Sequence, residues 1–489
     1  MASLEELRQE RIKKLELLRA KGMNAYPAHT EREISIADFL SNFDTLEAKG
    51  ETHTLVGRLL SLRKHGGSLF ADIFDGSGEV QLYFKADEMD EVDFELFDEA
   101  VDRGDFIEVK GRAIVTKTGQ HSLGVKKWKM LSKSLRPLPE KWYGLHDEEE
   151  RFRKRYLDIL LNPEIKEMVL KRSAFWNAIR SFLISNGFLE VDTPVLETTA
   201  GGADARPFVT HHNALDLDVY LRISAGELWQ KKLMVAGFPK VFEIGRIFRN
   251  EGMSHEHLQD YTQMEFYWAY ADYQMGMELV KDMYRYVARE VFGTEKFQIG
   301  EFEVDLSGEW RLYEYSNTIR DITGVDIRNV DLKDIESALE KYAISYDKEG
   351  FNIERGIDLL WKYCRKQIGG PGFLVGVPKS MSPLAKEDLA HPGYVEQFQP
   401  IIAGSELGKG YSELNDPLDQ AERFATQQAM RDAGDDEAQM YDADFVEALE
   451  YGMPPTCGFG MSERVFAFFM NKSVREAQIF PLMRPKEEQ

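Results

Sequence analysis

The residues best spaced for chemistry lie between Phe242 and Tyr270, in the stretch FEIGRIFRNEGMSHEHLQDYTQMEFYWAY. Two runs with a period of two flank a polar centre, which is the pattern of two antiparallel strands joined by a long loop. In the second run Tyr261, Gln263, Glu265 and Tyr267 fall on one face, and Thr262, Met264, Phe266 and Trp268 fall on the other. The second set is a core face. The first combines an aromatic platform, a carboxylate and a phenol, and Arg249 and Glu251 across the loop also share a direction. Such a surface reads either as the floor of an active site or as a solvated sheet face laced with ion pairs. Near the C-terminus, Gly458-Phe459-Gly460 followed by Ser462, Glu463 and Arg464 reads as a strand entering a helix, with Arg464 in its first turn. Arginines, carboxylates and aromatics on strands suit an anionic ligand with a planar ring, bound by guanidinium forks and stacking, with an amine held by acids. ATP would satisfy both Arg249 and Arg464.

Other chemistries are poorly served. No Walker A sequence and no dinucleotide glycine fingerprint follows a strand, and GFGMS lacks the order of a nucleophile elbow. His255 and His257 are close in sequence but sit on a loop with poor zinc spacing. With only Cys364 and Cys457 there is neither a disulfide framework nor a thiolate metal site, so a reducing, cytoplasmic setting is expected. No window is apolar enough to span a membrane, and the N-terminal pattern is a charged helix rather than a signal peptide. The net charge of −23 argues against a nucleic-acid partner taken whole, although a local basic surface can coexist with an acidic chain.

At 489 residues two or three domains are expected around these residues. An N-terminal extension (1–53) opens with a helix from Ser3 to Gly22, capped by Ser3 with Glu6 and stopped by Gly22. Its basic residues make it either a solvated amphipathic helix or an arm touching RNA. From 54 to 138, five short strands with Gly-rich turns predict a small closed barrel of the OB type. Phe70 and Gln81 there could supply a stack and an edge contact to single-stranded nucleic acid, beside basic residues such as Arg63 and Lys64. A Pro-containing linker (139–150) precedes a mixed region of strands and helices (151–489). Within it FLEVDTPVL reads as a strand with Pro194 at its edge, and a helical stretch at about 328–367 as an insertion.

Taken together, these blocks resemble the class II lysyl-tRNA synthetases of bacterial type over nearly the whole chain and in order. GFLEVDTPVL is similar to the dimer-forming motif 1, FRNEG with QMEFYWAYADY to motif 2, and GFGMSERVFAFF to motif 3. The longer blocks GGADARPFVTHHNALDLDVYLRIS, SELNDP, EYGMPPT and IFPLMRP point to the lysine branch. The resemblance implies an α+β chain, an N-terminal OB-fold β-barrel that binds the anticodon followed by an antiparallel-sheet catalytic domain with helices. It implies ATP-dependent activation of L-lysine and transfer to tRNA(Lys), with Mg²⁺ as cofactor and a homodimer formed through motif 1. By the same resemblance Arg249 and Arg464 would be catalytic, and Arg249, Glu251, His257, Tyr261 and Arg464 would hold ATP. Gly202, Glu227, Glu265, Tyr267, Tyr411 and Glu413 would hold lysine. Glu406 and Glu413 would bind metal, and Arg63, Phe70 and Gln81 would read the anticodon.

The chain also departs from that pattern. RISAGELWQKK is one residue longer than the usual segment and lacks its proline. Glu256 stands where a basic residue usually precedes the histidine, Gln399 where a second metal carboxylate is expected, and Lys409 where an asparagine lies beside the substrate carboxylate. Motif 3 is one residue shorter, with Ser462 replacing a glycine. Three rival readings follow, one of them an inactive synthetase-like scaffold, in which Arg249, Glu265 and Arg464 would not be expected together. Lys409 would suit an aspartate or asparagine enzyme, which Glu265 and Glu413 oppose; a paralogue that lysylates a protein would be expected to lack the barrel.

Overall fold

A computed structural model describes residues 3–139, 147–252, 258–347 and 351–486. The chain divides into two compact units, Met1–Arg151 and Phe152–Gln489.

In the first unit, strands β1 (Thr52–His65), β2 (Ser68–Phe74), β3 (Glu79–Lys85), β4 (Phe106–Val115) and β5 (His121–Ser132) close into a barrel in the order β1-β2-β3-β5-β4. The alternation read from the sequence is the reason. Leu69, Ala71 and Ile73 on β2 and Val80, Leu82 and Phe84 on β3 are buried inside, while the intervening residues face out. One helix was not expected: Glu91–Ala100 lies between β3 and β4, capped by Asp90, and buries Phe94, Leu96, Phe97 and Ala100. Its acidic face masked the apolar period.

The N-terminal helix runs Leu4–Ala20 with the Ser3–Glu6 capping box in place. Two of its cations, Arg11 and Lys14, are committed to the barrel, whereas Arg8 and Lys13 pair with acids of the helix itself. Arg11 is buried and donates to the carbonyls of Ser134 and Arg103 at 3.1 and 2.9 Å, and Lys14 pairs with Asp102 at 2.6 Å. Asp102 and Asp105 in turn flank the buried Lys133.

The second unit is built on one sheet. Its strands follow the order Arg311–Glu314, Gly372–Val375, Gln397–Ile402, Lys409–Ser412, Thr456–Ser462, Asp260–Ala269, Lys240–Phe248 and Leu189–Glu190. Neighbours are antiparallel except at the two ends of the sheet. One face packs on the helices Pro163–Ser185 and Tyr273–Val287, with Met264, Phe266, Phe398, Phe459 and Met461 in that core. The Phe398 and Phe459 rings stack 5.7 Å apart. The other face packs in part on the helices Glu227–Val235 and Ala443–Glu450 and leaves a cavity beside them.

The segment FLEVDTPVL forms no continuous strand. Only Leu189–Glu190 and Leu196–Glu197 pair, with different partners, because Thr193 turns inward between them. Its amide and hydroxyl both donate to the buried Glu243 carboxylate, at 3.0 and 2.7 Å. The helices Leu332–Lys341 and Ile353–Arg365 lie in the stretch read as a helical insertion. No helix among the described residues is long and apolar enough to cross a membrane.

Candidate active site

The strands Lys240–Phe248 and Asp260–Ala269 pair antiparallel in continuous register, from Lys240 opposite Trp268 to Phe248 opposite Asp260. Their polar face opens into a cavity of about 400 Å³. Tyr261, Gln263, Glu265 and Tyr267 all line it, as the period of two predicts. Arg249, Glu251, Gly202, Glu227, Glu406, Tyr411, Glu413 and Arg464 line the same cavity. His257, and the neighbouring Glu256, lie outside the described residues.

Glycine makes the middle of this floor possible. Thr456–Ser462 pairs with Asp260–Ala269 so that Tyr267 opposes Gly458 and Glu265 opposes Gly460. A Cβ at Gly458 would fall 2.1 Å from the Glu413 carboxylate and 2.6 Å from the Tyr267 ring. The sequence GFGM therefore puts nothing toward the cavity and Phe459 and Met461 into the core, and the acid and phenol occupy the room left by the missing side chains.

At one end of the cavity the positive groups gather. The Arg249 amide donates to the Gln259 carbonyl at 2.8 Å and its Nε to the Ile223 carbonyl at 3.2 Å. These bonds set its guanidinium 5.8 Å from the Tyr261 ring centre. Arg464 begins a helix of only six residues, Arg464–Phe469, so the helix dipole expected there adds little. Its position is fixed instead through Glu463. That buried carboxylate accepts from Arg172 and Gln478 and from the Thr262 amide, and burial pushes it above the usual carboxylate range despite Arg172. Lys409 lies on the cavity wall with its ammonium 5.9 Å from the Tyr411 ring.

The other end is acidic and dry. Glu227, Glu265 and Glu413 are all buried. Glu265 accepts from the Ala225 amide at 2.8 Å, from Gln263 at 2.5 Å and from the Tyr267 hydroxyl at 3.1 Å. The Tyr411 hydroxyl donates to Glu227. Burial, reinforced by Glu227, raises Glu265 to about 7. Burial likewise raises Glu413 to about 8, Lys231 opposing and Glu227 adding to it.

Lys231 is the residue that sequence reading missed. It is fully buried behind this wall, 2.8 Å from Glu227 and 2.5 Å from Glu413. The signal was there: Glu227 and Lys231 stand four apart on the helix Glu227–Val235. Just before that helix Gly226 takes a φ of 78° and packs against Thr193. Glu227 thus starts the helix with its carboxylate in the cavity.

The metal assignments fare unevenly. Glu406 lines the cavity, yet Trp361 donates to one of its oxygens at 2.5 Å and Arg365 to the other at 2.7 Å. Both partners come from the insertion, which therefore reaches the site. A single carboxylate with spare lone pairs fits a magnesium ion whose other ligands are phosphate oxygens and water. Glu413 fits a metal less well, because its carboxylate is buried against the Lys231 ammonium, whereas that of Glu406 keeps an open side beside its partner Arg365. No three metal-binding side chains cluster among the described residues.

On the barrel, Arg63 opposes Phe70 across β1 and β2, and Phe70 opposes Tyr83 across β2 and β3 with ring centres 5.0 Å apart. Gln81 stands on the same outward face, its amide oxygen accepting from Ser122 at 3.0 Å. The three residues expected on this surface share it, and Tyr83 joins them. The basic cluster is less open than the sequence suggested, since Lys126 pairs with Glu88 and Lys64 with Asp98.

The model of class II tRNA synthetases (D, K and N) matches residues 147–484, and that of the OB-fold nucleic acid binding domain matches 53–131. The chain belongs to the class II tRNA synthetases. Among relatives in this family, a lysine–tRNA ligase of Thermoanaerobacter sp. (strain X514) is 43% identical over 489 residues, covering 99% of this chain and 97% of that protein. A lysine–tRNA ligase of Roseiflexus castenholzii is 43% identical over 490 residues, covering 99% and 100%. That of Thermotoga maritima is 40% identical, covering 99% and 97%. The barrel and the large antiparallel sheet are thus the OB-fold and the class II synthetase domain of this family.

Proposed function

We propose that this chain is a lysine–tRNA ligase: it activates L-lysine with ATP and transfers the lysyl group to the 3′ end of tRNA(Lys). The observation that carries this reading is the acidic end of the cavity. Three buried carboxylates facing two phenols suit a substrate with two ammonium groups. They repel the side chain of aspartate and gain little from that of asparagine. Relatives of full length that carry the lysine–tRNA ligase name support the same choice.

In this reading the lysine α-ammonium lies between Glu227, Glu265 and the Gly202 carbonyl. Its side-chain ammonium lies against Glu413 and the Tyr267 hydroxyl, and Tyr411 covers the methylene stem. Tyr261 stacks the adenine from one side and Arg464 from the other, and Glu251 lines the nucleotide with His257. Arg249 bridges the α-phosphate and the substrate carboxylate. That carboxylate is already an anion, so no general base is needed. Its oxygen attacks the α-phosphorus, the bond to the bridging oxygen breaks, and pyrophosphate leaves. Glu406 would hold a magnesium ion, which would supply further neutralisation of charge. Arg249 stabilises the crowded phosphorus by fixed charge, so catalysis is positioning and electrostatics. The terminal ribose hydroxyl of tRNA then attacks the lysyl carbonyl and releases AMP. Lys409, beside Tyr411, adds a cation for the substrate carboxylate. The chain works in the cytoplasm as a homodimer whose contact includes the exposed residues Leu189, Val195 and Leu196.

ATP–pyrophosphate exchange across a panel of amino acids tests the reading. Exchange with lysine is expected; exchange with aspartate or asparagine alone overturns it. The presence of the complete barrel weighs against a protein-lysylating enzyme. Phe70→Ala is expected to leave lysine-dependent exchange unchanged. It should slow tRNA charging by about tenfold or more, the loss of one stacked base. Loss of exchange as well would contradict the division of labour between the two units.

A further inference from the structure

An ammonium buried inside a pocket for ammonium groups is unexpected, because it occupies charge that the substrate needs. Lys231 is 0% exposed, and Glu227 and Glu413 both lie within ion-pair distance of it. The aromatic rings of Tyr267, Tyr411 and Phe445 surround it at 5.9, 5.5 and 5.8 Å. It is behind the cavity wall rather than on it, since the cavity is lined by Glu227 and Glu413 but not by Lys231. Lys231 donates to Glu227 at 2.8 Å, and Glu413 Oε2 stands 2.5 Å from the same ammonium.

We infer that Lys231 is a positioning residue that sets the charge of the amino-acid pocket: with it, three buried carboxylates carry two net negative charges, matching an amino acid with two ammonium groups. This rests on the proposed lysine reading and deepens it. Without Lys231 the pocket would hold one carboxylate more than the substrate can neutralise. Buried like charges at this spacing resist ionising together, so in the empty pocket one more acid would hold a proton, which it would have to give up when lysine binds because all three acids touch a bound ammonium. The groups facing Lys231 are Glu227 on its own helix, Tyr267 from one strand, and Tyr411 and Glu413 from and just after another. Glu265 acts through Glu227 and Tyr267. Lys409 approaches the outer side of Tyr411, half-exposed and screened by solvent. Burial alone would lower the Lys231 ammonium, but Glu227 and Glu413 outweigh it and hold it above its ordinary value. It therefore stays charged throughout the range in which the acids titrate.

The sign of the linkage follows. In the empty pocket burial and the neighbouring acids hold Glu265 and Glu413 well above the usual carboxylate range, so part of the population carries a proton near neutral pH. Bound lysine favours the ionised acids, so binding releases protons and tightens as pH rises toward 8. Lys231→Met should add close to one released proton at pH 7. Its lysine affinity should fall about tenfold for each pH unit below the newly raised acid. Both are read by calorimetric lysine titration in two buffers of different ionisation enthalpy, with ATP binding as the check on folding. If the unaltered chain binds ATP but not lysine, the lysine reading itself fails. If it binds lysine and Lys231→Met does so with unchanged proton release and pH profile, the charge-setting role fails. Should Lys231→Met not fold, the double variant Lys231→Met, Glu227→Gln restores two net charges. It is expected to fold and to release as many protons as the unaltered chain, though binding lysine more weakly. Release of the extra proton, or failure of this variant to fold, would overturn the inference.

Discussion

Arg249→Ala is expected to reduce the rate of lysyl-adenylate formation at saturating ATP and lysine by about 10²–10³-fold, the usual effect of losing one fixed donor aimed at developing charge. The reason lies in how little this side chain must move. Its amide is tied to Gln259, its Nε to the Ile223 carbonyl, and its guanidinium is held near the Tyr261 ring. A group fixed in this way has less reorganisation left to do when charge builds on the α-phosphorus. Arg249→Lys retains the charge but not the planar fork or the bond to Ile223, so only a minor part of the rate should return. Single-turnover adenylate formation separates the possibilities. A fall in rate with little change in KM places the interaction in the transition state. A rise in KM for ATP at unchanged rate would reduce Arg249 to a ground-state phosphate contact and overturn its catalytic role.

The floor on which Arg249 stands was legible in the sequence because a strand has a period of two. Once Tyr261, Gln263, Glu265 and Tyr267 share a face, a sheet with its other face in the core must present them together. The barrel was legible for the same reason. What was lost involved contacts between segments far apart in the chain. The break in FLEVDTPVL depends on Thr193 finding Glu243, fifty residues away. Glu406 read as a free metal ligand because Trp361 and Arg365 belong to an insertion whose docking no local pattern reveals. Lys231 read as one more charge on an amphipathic helix. Only its burial between Glu227 and Glu413 gives it a different meaning. The helix Glu91–Ala100 was missed for a local reason, since five of its ten residues are acidic.

Glu413→Gln is expected to raise the KM for lysine by about a hundredfold or more at pH 8.5, with a smaller change in the rate of activation, because it removes a buried charge-assisted contact. The size should depend on pH in a direction that the structure fixes. Burial raises Glu413 to about 8, so in the empty pocket the carboxyl is largely protonated at pH 6 and largely ionised at pH 9. Glutamine mimics the protonated acid in charge and shape. At pH 6 the unaltered pocket must first lose its proton to bind lysine, which weakens its own binding and brings it closer to the variant. The ratio of the two KM values should therefore be smallest near pH 6, climb by up to about tenfold per pH unit, and level off above 8. Lys231 keeps Glu227 at 2.8 Å in the variant, so the helix Glu227–Val235 retains its inner anchor and ATP binding is expected to persist. A KM ratio that stays flat from pH 6 to 9 would mean that Glu413 meets the substrate in one protonation state throughout. An unchanged KM for lysine would remove Glu413 from the amino-acid pocket altogether.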